Sequence, residues 1–488
     1  MRLVRTFLIL TIGLPNTAAL AQDAQPQPAS TSRPAVAPEE RSAIRDAFAK
    51  EWEALRKDCS QGLEALENCA VAIITGQPLY LALGSLAPQS GFGFGAALVG
   101  RRNFVASPWR LLWNADALAA RTGSWRTGTS FTFDRVAKAT DGGAVTISHD
   151  DPDQPNPNDR SKTTTVSAYV QATSLEKLLF FGIGPDSGLA GKSRWTVSQT
   201  VVGGSVVKPI PSGRANLSLL GSVNGRFFHV RGSSPGDSPS IADLYTEATA
   251  PGLGRGKGRF VQFTESVRAQ PSWFWRHLRP SYALTADQFV SDGKSDASFN
   301  RLSVEFTHEF PFYETSRSTH GLGSSTSNAD GCPDANDVLC DSISDDRDGS
   351  VSVTLLATAA WARQGHAVPF YLQPTLGGGG GFNGMPILSG FSDYRFRAPN
   401  AIALQERFDH SVWGPLGVVL MAEQGKVALR PRDLGFSNLE HTVAAGLTMG
   451  AGRFPLVFLV IARSREGQRT VFRMDPSLPG GTSRPSLF

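Results

Sequence analysis

Residues 301–310 read RLSVEFTHEF and residues 350–362 read SVSVTLLATAAWA. In the first, Leu302, Val304, Phe306 and Phe310 alternate with Ser303, Glu305, Thr307 and Glu309. In the second, Val351, Val353, Leu355, Ala357, Ala359 and Trp361 share one face, and Ser350, Ser352, Thr354 and Thr358 share the other. A strand points successive side chains to opposite faces, so this pattern gives one face suited to lipid or a core and one suited to water.

Working outward, similar segments fall near 79–86, 91–101, 108–119, 124–134, 163–173, 193–206, 214–230, 258–269, 279–290, 366–376, 400–411, 415–427, 438–450, 455–464 and 468–474. With the two quoted, they predict roughly 16 strands. Short Gly/Pro turns alternate with longer polar loops, such as 148–162 and 321–349, which predicts short turns at one end and long loops at the other. Aromatics near strand ends, Trp109, Trp113, Trp125, Trp195, Trp273, Trp275, Trp361 and Trp413, suit two membrane interfaces. The fold class expected is all-β, a transmembrane antiparallel β-barrel over 78–475. A soluble propeller or sandwich is the competitor, and no blade repeat of fixed period supports it.

The chain opens MRLVRTFLILTIGLPNTAALAQ, with Arg2 and Arg5 before an apolar run from Phe7 to Leu14 and small residues up to Ala21. That is the layout of a secretory signal peptide over 1–21, and the run is too short to cross about 30 Å of hydrocarbon as a helix. No later stretch is long and apolar enough for a transmembrane helix, a limit that leaves barrels untouched. Residues 22–38 have almost no core-forming residues and read as a disordered leader. In 39–77, Ile44, Phe48, Trp52 and Leu55 recur at helical spacing behind Pro38, predicting a short periplasmic helical segment. The four cysteines form close pairs, Cys59 with Cys69 and Cys332 with Cys340, which in an exported chain suggests two local disulfides. Residues 476–488 remain as a tail. A net charge of +4, spread along the chain, gives no basic stripe for nucleic acid.

Chemical motifs are weak. GSSPG at 232–236 centres Ser234 in a G-x-S-x-G pattern but lacks the helix that a nucleophile elbow needs. Gly252, Gly254, Gly256 and Gly258 lack the strand-to-helix setting of a phosphate loop and read as a turn. The aspartates between Asp330 and Asp348 do not follow the EF-hand order. The sequence therefore predicts no enzyme, cofactor or metal.

One further stretch, LGGGGGFNGMPILSGFSDYRFR at 376–397, precedes the strand AIALQERFDHSVW and the strand LGVVLMAEQGKVA. It resembles the sixth extracellular loop and following strands of the BamA/TamA outer-membrane superfamily, the bacterial surface antigen family. Leu376, Gly377 and Gly378 match the start of that loop, and Leu388, Gly390 and Phe391 match its Leu-Arg-Gly-Phe tetrad. Arg395, Phe396 and Arg397 match an Arg-Phe-Arg triplet, Glu406 an acidic strand residue, and Gly425, Lys426 and Val427 the end of the next strand. FFGIGPDS at 180–187 and SREGQRTVFRM at 464–474 are similar to two more of its segments.

The resemblance implies a loop locked in the lumen, where the tetrad arginine pairs with carboxylates of the wall. Here Ser389 stands in its place, and Glu423 replaces a later aspartate. Arg395 or Arg397 is then expected to take over, pairing with Glu406 or Glu423, since a buried cation needs a partner. The stretch 22–77 does not fit a periplasmic POTRA module, which weakens the implied insertase role. The function implied is assembly or translocation in the outer membrane of a Gram-negative-type envelope, with lipid around it and a separately encoded periplasmic protein as an optional partner. A passive or gated pore, or a structural barrel, is the alternative.

Overall fold

The computed structural model describes residues 79–104, 107–135, 164–233, 238–254, 256–273, 277–292, 297–319, 343–363, 366–379, 385–413, 416–451 and 454–474. The chain divides into two units, Met1–Ala49 and Lys50–Phe488, and all these residues belong to the second. The expected signal peptide, leader, helical segment, both cysteine pairs, Ser234 and the C-terminal tail lie outside the described residues.

Period-two patterning produces one long meander. Its strands are β1 (Leu79–Ser85), β2 (Phe92–Asn103), β3 (Trp109–Ala120), β4 (Trp125–Arg135), β5 (Thr165–Phe180), β6 (Ser193–Ile210), β7 (Leu217–Gly232), β8 (Lys257–Ala269), β9 (Arg279–Ser291), β10 (Phe299–Thr319) and β11 (Ile343–Ala362). After two short strands, β12 (Thr375–Leu376) and β13 (Phe396–Arg397), come β14 (Asn400–Trp413), β15 (Leu416–Ala428), β16 (Glu440–Ala451), β17 (Phe454–Ser464) and β18 (Gly467–Met474). All except β12 and β13 join in chain order into a 16-stranded antiparallel sheet, which curls into a nearly closed barrel.

The alternation sorts side chains by face. On β7 and β8, Val223, Phe227, Val261 and Phe263 stand exposed on the outside, while Asn224, Arg226 and Gln262 are buried toward the lumen. Inside, the polar groups bind one another, as in Ser130 to Asn114 at 2.8 Å and Thr165 to Asp134 at 2.8 Å.

Two expectations change. Residues 366–376 are no wall strand: a 3-10 turn at Phe370–Leu372 and the two-residue β12 take up their apolar side chains inside the lumen. Long connections also occur at both ends of the barrel. The longest stretches between consecutive wall strands leave the wall at both ends: those after β7 and β11 at one end, here the loop end, and those after β4 and β10 at the other, where β1 starts and β18 stops. The wall strands number 16 once 366–376 is removed from the sequence reading.

At the loop end the inward residues of β6–β10 are aromatic rather than polar. Trp195, Phe228, Phe260, Phe289 and Phe299 pack with Phe370, Tyr371 and Tyr394 of the segment 363–399. Trp195 is completely buried there, so it is a core residue and not part of an interface belt. Burial of such side chains contributes about 1.5–3 kcal/mol each, which anchors the segment inside.

Candidate functional site: the lumen segment and the barrel seam

Segment 363–399 leaves β11, turns inward and pairs with itself, Thr375 opposite Arg397 and Leu376 opposite Phe396. Glycines permit the tight path. Gly378 has φ +63°, and a Cβ there would meet Asp393 Oδ1 at 2.0 Å. Gly390 lies so close to β17 that a Cβ would come within 2.8 Å of the Arg463 backbone. The bare backbone is therefore a packing requirement at these positions.

The tetrad is anchored without its arginine. The Ser389 backbone N–H donates to Glu423 Oε2 at 2.6 Å, and its hydroxyl donates to Oε1 at 3.0 Å. Gln405 Nε2 donates to the same Oε1 at 3.1 Å and to Pro386 O at 3.0 Å. Leu388, just before Ser389, is in the left-handed region at φ 59°. Glu423, fully buried, is thus held by backbone and neutral side chains.

Neither arginine does what the sequence reading expected. Arg395 Nε pairs with Glu466 Oε1 at 2.8 Å, its Nη1 donates to Ser187 Oγ at 3.2 Å, and its guanidinium lies over the rings of Phe181 and Phe396. Arg397 is 1% exposed and donates Nη1 to Phe370 O at 2.6 Å, among the rings of Phe180, Trp195 and Phe370. No ion pair holds it among the described residues, although burial removes it from water. A delocalised, weakly hydrated guanidinium over aromatic faces tolerates such a site. Glu406 takes no part: it is exposed on the opposite face of β14 from Gln405, where Phe408 also points. Arg395 and Arg397 are buried, so neither points into solvent.

A cluster that the sequence reading missed lies at the barrel seam. β1 and β18 meet at their last residues, without a backbone ladder among the described residues: Met474 N donates to Ser85 Oγ at 3.1 Å. Asp393 of the lumen segment reaches both sides. Its Oδ2 accepts from Arg469 Nη2 of β18 at 2.9 Å and from Gln89 Nε2 of the turn after β1. Its Oδ1 accepts from Gly379 N at 2.9 Å. Arg469 Nη1 also donates to Phe391 O, and Ser464 Oγ of β17 donates to Gly390 O at 2.8 Å. Gly379 itself runs between Pro88 and Val471. No spacing rule could have found this cluster, because Gln89 and Asp393 stand 304 residues apart.

The two matched segments also meet in space. Gly184 N, from the stretch 180–187, donates to Arg397 O at 2.7 Å. Leu388 and Phe391 are fully buried, Phe391 edge-on to Phe396 at 5.1 Å. The glycines near 252 form a turn on their own carboxylate, with Gly252 N and Gly254 N each 2.7 Å from Glu247.

Fold and site together define a class: a 16-stranded barrel with an apolar exterior, of the transmembrane kind, whose lumen holds a segment folded back onto the wall. No family model and no curated protein matches the chain. Similar solved structures include CdiB from Acinetobacter baumannii, at 10% identity and TM-score 0.45, covering 82% of this chain and 60% of that one. BamA from Haemophilus ducreyi lacking POTRA domains 1-3 is similar at 10% identity and TM-score 0.43, covering 81% and 68%. CdiB from Escherichia coli is similar at 11% identity and TM-score 0.46, covering 81% and 62%. The chain thus spans from 60% to 68% of the lengths of these structures.

Proposed function

We propose that this chain works in the outer membrane as a laterally gated barrel for the assembly or translocation of other chains, with segment 363–399 as its latch. The observation that carries this reading is the seam: β1 and β18 share no ladder among the described residues, and Asp393 bridges the two sides. Unpaired strand edges are costly in hydrocarbon, where no water replaces the missing partner. A short edge held by a releasable side-chain contact is a site where an incoming strand can pair. The motif resemblance supports the same reading, and a separately encoded periplasmic protein is its natural partner. No enzymatic step belongs to it.

The reading is tested with the pair Ser85→Cys and Met474→Cys in liposomes, scoring how fast an unfolded eight-stranded barrel inserts. Reduced protein is expected to accelerate insertion and oxidised protein to lose the effect. Equal acceleration in both states, or none in the wild type, would mean the seam is no gate.

A pore is the second reading, favoured by the polar lumen wall of β3, β4 and β7–β10 below the aromatic cluster. In a planar bilayer, low flickering conductance that becomes large and steady on deleting 377–397 would fit a plugged lumen. Large conductance unchanged by the deletion would rule the plug out.

A further inference from the structure

Away from the seam, inward side chains of β7–β10 line a partly open cavity of about 240 Å³. Every residue that lines it is polar, and its charged members are Arg226, Asp287 and Arg301. The hydrogen bonds of Asp287 are arranged in a way that decides what the cavity can take. Arg301 Nε and Nη2 donate to its Oδ2 at 3.0 and 2.9 Å, and Thr264 Oγ1 and Gln262 Nε2 donate to its Oδ1 at 2.6 and 2.8 Å. Both oxygens already have two donors, so the carboxylate offers little further accepting capacity to a solute. Gln262 then passes the interaction on, its Oε1 accepting from Arg226 Nε at 2.5 Å.

Two guanidiniums against one carboxylate leave the lining with a net positive charge. Hydroxyls from Ser222, Thr285 and Ser303 add donors that can turn toward a guest. A metal cation is repelled by this set. The volume exceeds the roughly 30 Å³ share of one water several times over. Planar guanidiniums suit oxyanions because their parallel N–H groups match two oxygens at once.

We propose that this cavity is a binding site for a small oxyanion of the phosphate type, either as a free ion or as the headgroup of a larger molecule. The site is independent of the gating reading, because none of the contacts that hold Asp393 or Glu423 involves it.

The test is calorimetric titration of the full refolded chain, in zwitterionic detergent at constant ionic strength, with inorganic phosphate against a chloride background. The expected result is saturable binding with a dissociation constant of about 1 mM or tighter. Arg226→Gln should weaken it by about tenfold or more, and Arg226→Lys, which keeps the charge and loses the fork, by less. Thr285→Asp places a carboxylate in the cavity; it should abolish phosphate binding and raise the thermal midpoint of the barrel. This variant carries the test should Arg226→Gln fail to fold. Dihexanoyl phosphatidic acid distinguishes the sources: tighter binding than phosphate, lost with the same variants, assigns the site to a lipid headgroup, and weaker binding assigns it to the free ion. A wild type with no saturable heat up to about 10 mM, or a Thr285→Asp barrel that binds as the wild type does, would overturn the proposal.

Discussion

At Glu423 the loop is held by one residue doing with its backbone what a longer side chain does by charge. Ser389 gives the carboxylate an N–H and a hydroxyl, and Gln405 gives an amide, so the buried acid has donors on both oxygens. Removing a donor and removing the acceptor should therefore differ. Ser389→Ala deletes one hydrogen bond of the set and is expected to cost about 1 kcal/mol. Glu423→Ala leaves several buried donors unmatched and is expected to cost about 3 kcal/mol, with the segment released. Limited proteolysis within 377–397, together with thermal melting, separates the two: only Glu423→Ala should expose the segment to cleavage. Equal protection in both variants would show that the aromatic packing of Phe391 and Tyr394 holds the segment alone. The identity of Glu423 was legible from the motif order, and its partner was not. Serine at 389 reads as a lost contact in sequence, because a backbone N–H has no letter of its own.

At the scale of elements, the seam depends on strand length. β1 has 7 residues and β18 has 8, whereas β2 and β17 have 12 and 11. Short edges leave little backbone to pair, and the lumen segment supplies the missing connection through Asp393. Asp393 is 4% exposed, so screening by salt should be weak. Asp393→Asn keeps the shape and removes the charge, and Arg469→Gln removes the other partner. Each is expected to loosen the β1–β18 contact, read as at least a few-fold faster hydrogen exchange in 79–85 and 467–474, with β7–β10 unchanged. The double variant should exceed neither single variant by much if one contact is broken twice. Exchange that rises uniformly around the barrel would indicate general destabilisation and remove the latch role from Asp393. The sequence reading located both edge strands, near 79–86 and 468–474. The clasp was invisible, since it joins three segments distant in the chain.

On the scale of the whole molecule, alternation made the wall legible and the plug misleading. Every wall strand coincides with a stretch that alternates, because the two faces meet different solvents. Residues 366–376 carry a similar apolar content but spend it on packing inside the lumen, and Trp195 sits at a strand end without meeting an interface. Composition cannot tell lipid from a protein core, since both are apolar. The exterior shows which side faces lipid. Exposed Trp125 and Trp361 stand at the loop end and exposed Trp273 and Trp413 at the other. On the outer face near that second end, Tyr282 and Tyr313 bond His308 and His410 at 2.9 and 2.8 Å, an amphipathic belt of the kind that marks a membrane interface. Between the rims the face is Val223, Phe227, Val261, Phe263 and Leu284, all exposed. A bilayer makes a charge there costly in proportion to depth, and water does not. Val223→Arg, midway along β7 and opposite Phe263, is therefore expected to destabilise the barrel in lipid vesicles by about 2–4 kcal/mol. Leu219→Arg, on the same face but close to the turn 211–216, should cost only about 0–1 kcal/mol. Denaturant unfolding in vesicles measures both. A Val223→Arg cost no greater than that of Leu219→Arg would mean that this face does not lie in hydrocarbon.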